Sequence, residues 1–156
     1  MSYFIFLKNS EGVISSLVKI AENQSDLNNS TLNLSDYTVI EDTQQNFNSI
    51  RLGSKFVVSY SANIITYENT VKPGYENITK INFSKDILAD YIKKYKDEIQ
   101  LFLQNYPSSP LFTRWTDYYN QLSNLNLNSI NYPLNETLEQ YFQDNGQPAY
   151  SPLQIP

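Results

Sequence analysis

The 156-residue chain has no cysteine and no histidine. Without cysteine it can form no disulfide and no thiolate site. The lack of histidine as well rules out zinc sites of the usual kinds, Ser-His-Asp and Cys-His catalysis, and a histidine switch near neutral pH. The four glycines lie far apart, so no glycine-rich phosphate loop can be built. Charge is short too: 17% of residues are charged, against roughly 25% in ordinary domains. The net charge of −5 has the wrong sign for a general nucleic-acid binder, which needs a basic face to neutralise phosphates. No apolar run approaches the ~20 residues that span a bilayer. The apolar start, Met1 to Lys8, has neither a basic flank before it nor a small-residue cleavage site, and does not read as a signal peptide. The expectation is a non-enzymatic chain with no cofactor, no metal, and no nucleic-acid or membrane partner. It would be made and kept in a cytosol, or assembled there into something larger.

Aromatic residues are plentiful, with thirteen Tyr, eight Phe and one Trp, and Asn and Ser are common. Tyrosine offers large contact area at the cost of two χ angles, and asparagine offers adaptable hydrogen bonding. This mixture suits wet contact surfaces. An AT-rich genome would also favour Asn, Ile and Tyr, but it would enrich Lys as well, which is not seen here.

The clearest pattern runs from Ser84 to Leu125. Leu88, Ile92, Tyr95, Ile99, Phe102 and Tyr106 are spaced alternately four and three apart. After Pro107-Ser108-Ser109-Pro110 the rhythm resumes at Leu111, Trp115, Tyr118, Leu122 and Leu125. Two amphipathic helices joined as a hairpin are the simplest reading, with Ser84 as N-cap and Asp86 in the first turn. The stripe could serve as a self-association seam, but it is short for a coiled coil, and intramolecular packing is favoured. Lys93, Lys94 and Lys96 alternate with acids at helical spacing and read as a solvated face.

Before this region, Tyr3–Lys8 and Val13–Ala21 predict a hairpin around Asn9–Gly12, and Tyr37–Glu41 a third strand. Thr43 would cap a short helix running to Leu52 and ending at Gly53. Lys55–Tyr60 and Ile64–Glu68 predict a second hairpin around Ser61–Asn63. After it, Leu125–Tyr132 alternates as an extended segment, Asn135 would cap a last short helix, and Gly146 would end it. The fold class expected is α+β: a small antiparallel β-rich unit over residues 1–69, a connector over 70–83, a helical hairpin plus short helix over 84–145, and an extended C-terminal arm over 146–156.

No constellation of catalytic, cofactor-binding or metal-ligating residues emerges. Glu41-Asp42 and Asp97-Glu98 are adjacent and point different ways, and Asp144-Asn145-Gly146 is too short for a calcium loop. Trp115 is the candidate core anchor. Arg114 beside it is a candidate partner contact, since Trp and Arg dominate interface energetics. In the arm, Tyr150, Leu153, Ile155 and Pro156 place apolar knobs between prolines. Such a segment either lies on its own domain or docks on a neighbour, and these four are the other candidate partner-binding residues.

Ser109–Trp115, Tyr132–Phe142 and the ending Pro152-Leu153-Gln154-Ile155-Pro156 resemble small virion-associated proteins of tailed bacteriophages, especially contractile-tailed phages of marine bacteria. The resemblance covers about the last third of the chain and carries no catalytic motif. It implies a virion structural protein of the tail, neck or baseplate, assembled in the host cytoplasm. Its partners would be other phage structural proteins, with further copies of itself in a symmetric ring as an option. A tail-fibre assembly chaperone, absent from the mature particle, is the alternative.

Overall fold

Strand β1, Tyr3–Leu7, carries Phe4, Ile5 and Phe6 in succession, all of them buried. Alternate side chains leave opposite faces of a strand, so a run with no polar interruption must be covered on both sides. The computed structural model describes residues 1–7, 15–53, 57–61, 64–67 and 83–156, with the backbone alone for 15–16, 57–61 and 64–67. β1 sits inside an antiparallel sheet, between β2 (Ser15–Ala21) and β3 (Tyr37–Glu41). Beyond β2 lie β4 (Val57–Ser61) and β5 (Ile64–Tyr67), giving the order β3-β1-β2-β4-β5. On one face Phe4, Phe6 and Ile20 meet Phe47 and Ile50 of helix α2 (Phe47–Arg51). On the other, Ile5 and Ala21 meet Leu27 of helix α1 (Gln24–Asn28). The expected turns at Asn9–Gly12 and Ala62–Asn63, the strand ends at Lys8, Val13, Lys55 and Glu68, and the connector up to Asn82 fall outside the described residues.

Thr43 does not cap α2. Asp42 does the work from within the core: its carboxylate accepts the N–H groups of Asn46 at 3.0 Å and Phe47 at 2.8 Å, and the Ser2 hydroxyl at 2.9 Å. A carboxylate has several acceptor sites where a hydroxyl has two, and at 2% exposure Asp42 faces little competition from water. α2 therefore starts at Phe47, later than Thr43 predicts. Gly53, with φ +79°, follows its end. A Cβ there would meet Thr137 Cγ2 at 2.4 Å, so a bare glycine is needed both for its backbone angle and for space.

The helical layer begins with α3, Lys85–Asn105, where Ser84 Oγ accepts the Ile87 N–H at 3.2 Å. Its buried stripe is Leu88, Tyr91, Ile92, Tyr95, Ile99 and Phe102. These pack on Trp115, Tyr118 and Leu122 of α4, Phe112–Ser123. Tyr106 belongs to the sequence stripe but lies past the last helical turn and is 45% exposed. After α4, Asn126 Oδ1 accepts the Asn128 N–H at 3.0 Å, and Leu127–Ser129 coil into one 3-10 turn where alternation predicted an extended segment. An asparagine side chain that satisfies its own neighbourhood competes with strand pairing. Leu134 and Phe83 exchange two backbone hydrogen bonds of 2.8 Å, and the Tyr132–Pro133 peptide is cis. Helix α5, Leu138–Asp144, is capped by Thr137, two residues beyond the expected Asn135. Thr137 Oγ1 accepts the Gln140 N–H and itself donates to the Leu52 carbonyl. Gly146 ends α5 at φ +71°.

The arrangement is α+β, with the antiparallel β-rich part first, then the helical hairpin and the arm. The two parts are joined by specific contacts. Arg114 pairs with Asp26 at 3.0 Å, Thr137 with Leu52, and Arg51 donates to the Ala149 carbonyl at 2.6 Å and to Gln143 Oε1 at 2.8 Å.

Candidate interaction surface

The arm is where sequence reasoning placed most partner-binding residues, and the structure folds it back on the chain. Ser151 caps a 3-10 turn at Pro152–Gln154, with the Gln154 side chain returning to the Ser151 N–H at 2.9 Å. Ile155 is buried at 4% exposure, within the helical core. Leu153 packs on the sheet cluster of Phe4, Phe6 and Phe47. The Tyr150 carbonyl accepts the hydroxyls of Tyr95 at 2.6 Å and Tyr118 at 3.3 Å. Its ring lies 5.4 Å from that of Trp115 and 5.2 Å from that of Tyr118. Gln121 Nε2 donates to the Pro148 carbonyl at 2.8 Å. Of the two expected placements, Tyr150, Leu153 and Ile155 take the one on their own domain. The Trp115 and Tyr118 rings, the hydroxyls of Tyr95 and Tyr118, and the two apolar clusters give them more within the chain than water would offer.

Trp115 is fully buried, in edge-to-face contact with Tyr95 and Tyr118. Arg114 is not a free contact residue. Its guanidinium holds Asp26 and lies 5.3 Å over the Tyr150 ring, which joins α1, α4 and the arm. Of the predicted contact residues Ile155 is buried, while Arg114, Tyr150, Leu153 and Pro156 each keep a partly open position.

Around Pro156 the structure assembles a surface that periodicity alone did not mark. Leu101 and Tyr106, 60% and 45% exposed, stand at the end of α3. With Phe102, Ile155 and Pro156 they line a groove of about 230 Å³, edged by Lys19 and Glu98. An adjoining cleft of about 460 Å³ shares Thr31, Asn105 and Tyr106 with this groove and extends to Asn28–Ser30 and Pro107–Pro110. The signal available in sequence was Leu101, an apolar residue on the polar side of the α3 stripe. Nothing in sequence joined it to Pro156, more than fifty positions away.

Comparison with known proteins places the chain beside none of them. No family model, curated protein or solved structure matches it. Among the described residues no cluster of three or more acidic, His or Cys side chains is placed to hold a metal ion, and no helix is long and apolar enough to cross a membrane.

One buried titratable group also escaped the sequence reading. Glu139, in the first turn of α5, is fully buried and accepts a hydrogen bond from the Tyr91 hydroxyl. Burial raises its carboxyl to about 7, against the opposing pull of the Tyr91 bond and the Arg51 charge. Burial, and the nearby Glu139, push the Tyr118 hydroxyl well above its ordinary range.

Proposed function

We propose that this chain is a non-enzymatic structural protein of a tailed-phage particle, a tail, neck or baseplate component that works through protein–protein contacts. The observation that carries the reading is the apolar groove at the end of α3, where Leu101 and Tyr106 stand exposed beside Pro156. Contiguous exposed apolar side chains rimmed by polar ones mark association surfaces. The low charge and abundance of Tyr, Asn and Ser support it, as does the resemblance of the C-terminal sequence.

Quantitative mass spectrometry of purified particles tests the proposal. The chain is expected in them at a fixed copy number, in the multiples of a symmetric ring. A Leu101→Glu variant is expected to fold and to be lost from the particle. Complete absence of the wild-type chain from mature particles would sink the structural role and fit a fibre-assembly chaperone instead.

A further inference from the structure

The cleft of about 460 Å³ between the end of α1 and the α3–α4 connection differs from the rest of the surface in its chemistry. None of its ten lining residues is charged. They are asparagines, serines, a threonine, prolines and one tyrosine. Its volume lies in the range of small-molecule sites, about 300–1,000 Å³. A charged ligand would meet no counter-charge in that lining.

The polar groups are held in place. Asn28 Oδ1 accepts from Gln24 Nε2 at 2.9 Å, which leaves its amide N–H₂ to donate. Asn29 does the reverse: its Nδ2 donates to the Ser25 carbonyl at 2.8 Å, leaving Oδ1 to accept. Ser30 Oγ accepts the Leu32 N–H at 3.2 Å and keeps its own O–H as a donor. Asn28, Asn29 and Ser30, each anchored by one such bond, border the cleft with donor and acceptor capacity to spare. Opposite in sequence, Tyr106 is propped by Phe102, ring centroids 5.8 Å apart and 24° from parallel, and stays 45% exposed.

We propose that this cleft binds a neutral saccharide. A sugar ring presents hydroxyls that both donate and accept, which suits half-used amides. It also presents an apolar C–H face that lies on an aromatic ring through dispersion and weak C–H contacts. Because the asparagines are already oriented by their own helix, the ordering cost of binding is reduced. A proline-rich peptide, the other neutral ligand for a Tyr- and Pro-lined groove, uses several aromatic rings. This cleft has one.

The test is calorimetric titration of the full chain with neutral hexasaccharides of the malto-, cello- and chito-series, alongside a proline-rich peptide. Saturable binding of at least one saccharide is expected, and it should not weaken as salt is raised, since no ion pair is involved. Tyr106→Ala and Asn105→Ala should each weaken it about tenfold or more, with circular dichroism unchanged. Leu101→Glu, outside the cleft, should bind like the wild type. Three results would each overturn the proposal: no binding in any of the three series, binding that survives both cleft variants, or a preference for the peptide.

Discussion

Burial holds the Glu139 carboxyl at about 7, whereas its ordinary value is 4.5. The folded state therefore keeps a proton that the unfolded chain has already released between those two values. Below 4.5 the group is neutral in both states and carries no penalty. As pH rises from 4.5 to about 7 the native state loses stability, and above 7 the loss is complete. At about 1.4 kcal/mol per pKa unit, the loss is on the order of 3 kcal/mol. Glu139→Gln keeps the shape and an acceptor for Tyr91 without the charge. Urea midpoints at pH 5 and pH 8 should show the variant gaining on the wild type at the higher pH. An equal difference at both values would show that Glu139 does not titrate in this window. No sequence signal distinguished this glutamate from Glu136, three positions earlier. Its burial depends on Tyr91, forty-eight positions away. Asp42 was equally hidden, since its role rests on where β1 and β3 place it. Ser84, by contrast, was legible, because a cap depends only on residues three apart.

The elements themselves were readable where the apolar period was long. α3 and α4 match their predicted spans closely because the six spaced apolar residues from Leu88 to Tyr106 and the five from Leu111 to Leu125 each specify one face. Short pieces were not: the 3-10 turn at Leu127–Ser129 replaced an expected extended segment, since two or three side-chain bonds decide such stretches. The arm was the hardest to read. Its apolar residues have no period, and only the assembled helices and sheet give them places. Ile155→Ala should cost about 2–5 kcal/mol in a urea titration, and a chain ending at Gly146 should lose cooperative unfolding. A truncated chain with the wild-type midpoint would contradict this structural role. That outcome also bears on function, for a truncation cannot serve as a clean test of partner binding if it removes part of the core.

At the scale of the whole molecule, the boundary suggested by the change from strands to helices is crossed repeatedly. Arg51, Thr137 and Arg114 bond across it, and the arm lays Leu153 on the sheet and Ile155 in the helical core. Unfolding should therefore be one transition. Trp115, the single tryptophan, reports the helical core by fluorescence, while far-ultraviolet circular dichroism reports both parts. Coincident midpoints are expected. Separated ones would mean that the two parts melt independently and that the bonds between them add little.

The arm has a consequence for how the protein is made. A ribosome delivers the chain from its amino end, at about 5–20 residues per second. The sheet, the hairpin and α5 all emerge before the segment that seals them. Until Leu153 and Ile155 arrive, the sheet cluster of Phe4, Phe6 and Phe47 and the helical core each lack one apolar neighbour. The packing of both clusters is thus completed only once Leu153 and Ile155 have emerged.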